Sequence, residues 1–258
     1  MSAPAPGETL NRLAGDWKIF QLKKGHRFST DDLMTAWTAA HARPSARRLL
    51  DIGSGIGSVG LLALWRLAAA EAHLTSLEVQ SLSRDLMLKT IAHNGLEHRT
   101  DPRLGDLRAR EHLPQGPVFE LVTGSPPYIP IGRGVQSPHP QKAAARIELH
   151  GSVFDYCITG ARMLAPDGCF ALVHAAADPR PEQAIAAAGL TLRARRDVHF
   201  RADQPPLIAL FECAHSGERH DHPPFFIRGT DGQWTDEYLE MRRDMGTEVW
   251  RPGEGPHE

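Results

Sequence analysis

The sequence predicts an α/β fold in which helices cover both faces of a mostly parallel sheet. From about residue 48 to residue 213, short apolar runs of strand length alternate with longer segments of helical periodicity. A strand, a helix and a further strand in that order form a right-handed crossover, so the two strands run parallel. The 258 residues suffice for one large domain with a sizeable core.

The elements follow in order along the chain. Residues 1 to about 15 are rich in Ala, Pro and Gly, and we expect a mobile lead-in there. A helix is predicted over 33–42, with Ser29 or Thr30 as its N-cap. Further strands are predicted at 48–52, 74–79, near Arg103, and at 118–123, 169–174, 190–198 and 207–213. Further helices are predicted at 57–70, at 81–94 before Gly95, and at 152–164, 181–188 and 235–245.

Two remaining segments are irregular. The loop 129–141 carries four Gly or Pro residues, and loops of this length in compact domains are often functional. Residues 214–258 are expected to form a polar tail that contains the last helix. We therefore predict an N-terminal lead-in and helix over 1–43, a main domain over 44–213, and a C-terminal polar extension over 214–258.

Composition limits the classes of function. With 29 basic and 31 acidic residues the net charge is −2, so any contact with nucleic acid depends on local basic clusters. No run approaches the roughly 20 apolar residues of a membrane span, and the first residues lack the apolar core of a signal peptide. We expect a cytoplasmic protein. Cys157, Cys169 and Cys213 lie in apolar runs without a CxxC spacing, which predicts buried reduced thiols and gives no indication of zinc.

A glycine-rich turn, DIGSGIG, runs from Asp51 to Gly57 between the first predicted strand and its helix. Ligands of open parallel sheets bind outside the carboxyl ends of the strands, at such a position. The glycines permit positive φ and close approach of the main chain to a ligand, while Asp51 can accept hydrogen bonds from an ammonium group. No Lys-Ser/Thr pair follows, so the turn is not typical of a phosphate-binding P-loop.

Two further acidic residues follow neighbouring predicted strands. Glu78 ends the second strand, where a carboxylate can accept both hydroxyls of a ribose. Asp106 follows the third strand and can accept an adenine amino group. Either residue alone is equally consistent with a surface carboxylate, but three acids at successive strand ends favour a nucleoside site.

The tetrad Ser125 to Tyr128, SPPY, follows the fourth predicted strand. An exocyclic amine is a poor nucleophile, and two acceptors that take its N–H bonds can turn its lone pair toward an electrophile. Ser125 and the carbonyl of Pro126 can supply these acceptors, and Tyr128 offers a ring for stacking worth about 1 to 3 kcal/mol. The prolines stiffen the turn. A simple rigid turn is the alternative interpretation, and the position after a fourth strand favours the functional one.

The glycine turn, the strand-end acids and the SPPY loop together resemble the motifs of a known family. The glycine turn is similar to motif I of the class I S-adenosyl-L-methionine (SAM) methyltransferases. Residues 17–213 resemble the bacterial adenine-N6 tRNA methyltransferases that modify the purine 3′ to the anticodon of a valine tRNA. The matching residues are His26-Arg27, Thr30-Asp31, the DIGSGIG turn, Glu78, Asp106, the Pro-Pro-Tyr loop, Pro140-Gln141-Lys142 and Ala145-Arg146.

The resemblance implies a Rossmann-like fold with a seven-stranded, mostly parallel sheet, and SAM as cofactor. It implies that the target amine is held by Ser125, Pro126 and Tyr128, and that Thr30 and Asp31 close over the methionine end of SAM. The cofactor-binding residues it implies are Thr30, Asp31, Asp51, Gly53, Gly55, Glu78, Asp106 and Ser125.

One departure bears on the substrate. The tRNA family carries Asn where this chain has Ser125, and serine occurs at this position in enzymes resembling cytosine-N4 methyltransferases. The resemblance therefore predicts a SAM-dependent N-methyltransferase acting on an exocyclic amine, with adenine N6 of tRNA as the first hypothesis. The alternatives are N-methylation of a protein glutamine amide or a small-molecule amine, and a SAM-binding module without transfer.

Other charged residues are candidates for an RNA surface, a metal site or a catalytic base. A candidate RNA surface combines Lys18, Lys23, Lys24 and Arg27 with Arg193, Arg195, Arg196 and Arg201, although such runs are often only solvated faces. The spacing of His215, His220 and His222 does not favour a metal site, and His174 is assigned no catalytic role. The sequence leaves the oligomeric state open.

Overall fold

The computed structural model describes residues 3–67, 71–134, 137–247 and 249. The strands are β1 (Glu8–Ala14), β2 (Trp17–Leu22), β3 (Arg48–Ile52), β4 (His73–Glu78), β5 (Thr100–Leu104), β6 (Phe119–Gly124), β7 (Leu164–Ala175), β8 (Thr191–His199), β9 (Ile208–Ala214) and β10 (Phe225–Phe226). The helices are α1 (Thr30–Ala42), α2 (Ser58–Arg66), α3 (Ser81–Asn94), α4 (Pro140–Ala144), α5 (Val153–Met163), α6 (Arg180–Ala187) and α7 (Asp236–Asp244). Residues 68–70 of the helix predicted over 57–70 lie outside the described residues.

The main sheet confirms the predicted α/β class. Its strand order is β10-β8-β9-β7-β6-β3-β4-β5, and β9 is antiparallel to both of its neighbours while the other pairs are parallel. The sheet has eight strands rather than the seven expected, because the two-residue β10 pairs with the edge strand β8.

The core consists of two apolar layers, one on each face of the sheet. One layer includes apolar residues of α1, α2 and α3, and the other includes apolar residues of α5 and α6. All three cysteines are free and buried, as predicted. Within the described part of the chain, no helix has the length and apolar character needed to cross a bilayer.

The two terminal regions are more ordered than the sequence predicted. The expected mobile lead-in contains β1, which pairs with β2 in an antiparallel hairpin that packs on α3. The Phe20 N–H donates to Thr90 Oγ1 over 3.0 Å. The expected polar tail contributes Phe225, Tyr238 and Met245 to the core, because apolar residues are interspersed among its charges. The domain boundaries at 43 and 213 remain predictions.

Candidate active site at the carboxyl edge of the sheet

A cavity of about 860 Å³, including space open to solvent, lies at the carboxyl ends of β3, β4, β5 and β6. It therefore lies where the strand order predicts a ligand crevice. The walls include His26, Asp32, Asp51, Gly53, Ser54, Gly55, Ser58, Glu78, Ser83, Gly105, Leu107, Ser125, Pro127, Gln141, His150 and Tyr156.

The glycine turn adopts the backbone that its sequence requires. Gly53 and Gly55 have φ of 64° and 57°, in the left-handed region that favours glycine. A Cβ on Gly53 would overlap the hydroxyl of Tyr156, whereas a Cβ on Gly55 would meet no atom within 4 Å. The turn thus brings main chain to the cavity wall, with open space in front of Gly55.

Asp51 is buried beneath this turn, with 2% of its surface exposed. Its carboxylate accepts hydrogen bonds from the Gly60 N–H over 3.0 Å and from the Thr123 hydroxyl over 2.7 Å. Burial raises the pKa of the Asp51 carboxyl to about 7, although both hydrogen bonds act to lower it. A cation beside Asp51 would favour its ionised form.

Glu78 is also buried on the wall, at 4% exposure. Its two oxygens accept from the Gly55 N–H over 2.8 Å and from the Gln80 N–H over 2.7 Å. Burial raises the pKa of the Glu78 carboxyl. Each carboxylate oxygen can accept a second hydrogen bond, so the side chain is held in place and still able to take ligand hydroxyls.

The structure does not bring Asp106 onto this wall. Its carboxylate is paired with the Arg108 guanidinium, with Nε to Oδ1 and Oδ2 distances of 2.9 and 3.1 Å. This hydrogen-bonded pair lowers the pKa of the Asp106 carboxyl. Gly105 and Leu107, its two neighbours in the chain, line the cavity instead.

At the start of α1, the wall residue is Asp32 rather than the expected Thr30 or Asp31. Asp32 forms a capping box with Ser29 and accepts from the Ser58 hydroxyl over 3.0 Å. Asp31 is not among the wall residues and accepts from the Tyr128 hydroxyl over 2.8 Å. Successive helical residues point about 100° apart, so adjacent carboxylates reach different surroundings.

The SPPY loop contributes Ser125 and Pro127 to the cavity wall, and Pro126 is buried behind them. Tyr128 lies off the wall. Its ring centroid is 4.8 Å from that of His174, and its carbonyl accepts from Arg180 Nη2 over 3.0 Å. Burial lowers the pKa of His174 to about 4, so its ring is neutral at neutral pH.

Several wall residues were not predicted as site residues, and Gln141, Tyr156 and Asp32 are examples. Gln141 is buried, accepts from the His26 N–H over 2.9 Å and donates to Ser83 Oγ over 3.0 Å. It thereby joins the N-terminal segment, α3 and α4, and its inclusion in the family motif was the one available signal. Tyr156 and Asp32 lie within helical patterns that indicate only core packing and capping.

The two basic clusters of the candidate RNA surface differ in whether their side chains are paired within the protein. All four arginines of the β8 region have partners: Arg193 donates to main-chain carbonyls, Arg195 to Glu182 and Asp197, and Arg201 to Asp203, while Arg196 lies over Trp37. Lys18, Lys23 and Lys24 are exposed, and their side chains form no hydrogen bond or ion pair with the described residues. Arg27 donates to the neutral groups of Thr9 and Asn11.

Two other segments named in the sequence analysis are the C-terminal histidines and the long loop. The histidines of the C-terminal segment have separate partners, since His215 contacts the Leu164 carbonyl, His220 contacts Glu218 and His222 contacts Glu212. The loop expected over 129–141 ends in α4, which begins at Pro140. Residues 135 and 136 of this loop lie outside the described residues, and its action as a lid remains a prediction.

Comparison with known proteins supports the resemblance inferred from the motifs. No family model matches the chain. Proteins named tRNA1(Val) (adenine(37)-N6)-methyltransferase from Tolumonas auensis and Phocaeicola vulgatus are 24% and 23% identical to it over 220 and 218 residues. Both alignments cover 83% of this chain and 87% of the relative.

Solved structures share the fold. A protein from Agrobacterium tumefaciens described as a predicted O-methyltransferase aligns with a TM-score of 0.64 at 18% identity, over 86% of this chain and 98% of its own. TYW2 of P. horikoshii, solved in complex with MeSAdo, aligns with a TM-score of 0.54 at 12% identity, over 82% and 73%. The chain thus has the Rossmann-like fold of the class I methyltransferases.

Proposed function

We propose that this protein is a SAM-dependent methyltransferase that methylates the exocyclic N6 of an adenine in tRNA. The observation that carries the proposal is the single cavity whose walls contain both the DIGSGIG turn with Glu78 and the first residue of the SPPY loop. The name shared by the relatives supports adenine 37 of a valine tRNA as the target.

The residues present suit the cofactor. Buried Asp51 can pair with the ammonium group of SAM, and Glu78 can accept its ribose hydroxyls. Gly53 and Gly55 let the main chain approach the ligand closely, with open space in front of Gly55. When bound, SAM supplies an electrophilic methyl group on a sulfonium. Asp106 is paired with Arg108, so we assign the adenine end to the surroundings of Gly105 and Leu107.

The target side has the groups needed to orient an amine. The Ser125 hydroxyl and the Pro126 carbonyl accept its two N–H bonds, which directs the nitrogen lone pair toward the methyl group. Tyr128, which lies off the cavity wall, stacks on a base that extends past Ser125 out of the cavity. The exposed Lys18, Lys23, Lys24 and Arg27 contact RNA phosphates, because they are cationic groups not neutralised by carboxylates of the described residues.

The proposal is tested by methyl uptake from labelled SAM into three acceptor pools: unmodified tRNA, total protein and small metabolites. We expect label in tRNA. A valine tRNA transcript should accept one methyl group, and a matched transcript with guanine at position 37 should accept none. Label in glutamine of a protein, or in a metabolite, would instead favour the amide or small-amine alternative. SAM binding without label in any pool would favour a binding module.

A further inference from the structure

Tyr128 is held at its hydroxyl by a carboxylate from a distant part of the chain. The hydroxyl donates to Asp31 Oδ2 over 2.8 Å, which joins the SPPY loop to the first turn of α1. Burial and the neighbouring Asp31 raise the pKa of the Tyr128 hydroxyl, so it keeps its proton and acts as the donor. A hydrogen bond between a phenol and a carboxylate is directional, and it anchors the end of the ring that lies farthest from the main chain.

The ring and the main chain of Tyr128 are held as well. The ring of His174, which is fully buried, lies 4.8 Å away at an interplanar angle of 48°. The Tyr128 carbonyl accepts from Arg180, whose guanidinium also donates to Glu148 Oε1 over 2.6 Å. Contacts from α1 and β7 thus restrict the side chain of Tyr128, and a contact from α6 restricts its main chain.

The two acidic residues of α1 divide between the two sides of the site. Asp32 lines the cavity and binds Ser58 at the start of α2, on the side of the glycine turn. Asp31 lies off the cavity wall and binds the SPPY loop. The hydrogen bond of Asp31 is therefore directed to the loop that we assign to the target base and not to the cavity that we assign to SAM.

We infer that Asp31 is a positioning residue that sets the orientation of the Tyr128 ring for the target base, and that it does not bind the cofactor. This inference rests on the proposed function. Stacking requires a ring at a defined position, and a ring whose hydroxyl has lost its partner is no longer anchored at its outer end. Asp31 then acts on transfer only through the Tyr128 hydroxyl.

A double-mutant cycle with Asp31→Ala, Tyr128→Phe and both together tests this. We expect each single change to lower kcat about five-fold or more on unmodified tRNA, and the double variant to be no slower than either single one. The dissociation constant for SAM should change less than about two-fold throughout. Asp31→Asn, which keeps an acceptor oxygen for the hydroxyl, should restore most of the turnover.

Asp32→Asn is the matched control, because it alters the adjacent carboxylate. We expect it to weaken SAM binding and to combine multiplicatively with Tyr128→Phe. If Asp31→Ala does not fold, Asp31→Glu, whose longer side chain displaces the carboxylate, replaces it in the cycle.

The outcomes separate the inference from the proposed function. Multiplicative losses in the cycle, or weaker SAM binding in Asp31→Ala with and without Tyr128→Phe, overturn the inference while tRNA methylation stands. If wild-type protein methylates a protein or a metabolite, the proposed function fails and the same cycle on that acceptor decides the inference. A wild-type protein that methylates no acceptor contradicts both.

Discussion

The two sides of the cavity differ in what holds their residues in place. On the side assigned to the cofactor, Asp51 and Glu78 accept N–H bonds from Gly60, Gly55 and Gln80, main-chain groups that lie between 2 and 23 residues away. One side chain from a distant part of the chain, Thr123, also donates to Asp51. On the side assigned to the target, Tyr128 is held by Asp31 and Arg180, which lie 97 and 52 residues away. The first side is held mostly by main-chain donors, and the second by side chains from distant parts of the chain.

This difference implies separable functions. Changes at the strand-end acids should alter SAM affinity, whereas changes around the SPPY loop should alter turnover with SAM affinity kept. Variants that alter both quantities together would show that the two sides are not independent.

The largest effect is expected at Ser125, which lies on the cavity wall at the end of β6. Ser125→Ala removes one positioned acceptor, so turnover should fall about ten- to a thousand-fold while SAM affinity stays nearly constant. Ser125→Asn should keep or raise activity on adenine, because the longer amide restores the arrangement of the tRNA family, and should lower activity on a smaller amine. Full turnover of Ser125→Ala would leave only the Pro126 carbonyl and Tyr128 as the groups of this loop that contact the amine.

The next effect concerns SAM affinity on the cofactor side. Asp51→Ala and Glu78→Ala each remove a buried acceptor, which costs about 1.5 to 3 kcal/mol, or about ten-fold or more in affinity. Asp106→Ala is a matched control, since this carboxylate is paired with Arg108 off the wall, and we expect less than a three-fold loss. Calorimetric titration with SAM measures the affinity of each variant. Unchanged affinity in folded Asp51 and Glu78 variants would refute the cofactor assignment.

A pH dependence should appear on the same side, because the pKa of Asp51 is raised to about 7. The ammonium group of SAM favours the ionised carboxylate, so binding should release a proton below pH 7. Affinity should rise up to about ten-fold per pH unit until about pH 7 and then level off. Titrations in buffers of different ionisation enthalpy measure the released proton, and Asp51→Asn should abolish the release.

The raised pKa of Asp51 has the opposite effect on the free energy of unfolding, which should fall as the pH rises. The folded pKa of Asp51 lies above its value of about 4 in an unfolded chain, so its favourable contribution is complete below pH 4 and is lost by pH 7. Asn keeps only one acceptor oxygen for the two donors, Gly60 and Thr123, so the informative quantity is the change with pH. Without cofactor, the free energy of unfolding of Asp51→Asn relative to the wild-type protein should rise between pH 4 and pH 8. A difference between the two proteins that stays constant over this range would contradict the raised pKa.

The smallest effect is expected at the exposed cations that follow β2. Replacing Lys23 and Lys24 by Gln should weaken tRNA binding about two- to five-fold at moderate salt and reduce the salt slope by about one unit per lost phosphate contact. Arg201→Gln, a cation already paired with Asp203, should leave the slope unchanged. An RNA affinity indifferent to salt would argue for the peptide or small-molecule alternative.

Local sequence patterns determined most of the fold. The strand predicted over 48–52 and the helix over 81–94 match β3 and α3 residue for residue, since Gly95 adopts the left-handed φ of 67° that ends α3. The conformation of the glycine turn was also predicted, because glycine has no Cβ and Gly53 and Gly55 can therefore adopt positive φ. The structure of the terminal regions was not predicted, since it depends on packing between residues far apart in the chain. The Gly15 N–H, for example, donates to the Gly246 carbonyl over 2.8 Å.

The sequence by itself predicted that the glycine turn and the SPPY loop meet at one edge of the sheet, and the cavity there contains both, because strand order and glycine conformation follow from local patterns. Only the tertiary structure decided that Asp32, and not the adjacent Asp31, lies on the cavity wall. It also decided that the Asp106 carboxylate is paired with Arg108. It likewise decided that the arginines of β8 have partners while Lys23 and Lys24 remain exposed. The physical reason is that backbone conformation follows from neighbouring residues, whereas the direction and partner of a charged side chain depend on residues far away in the chain.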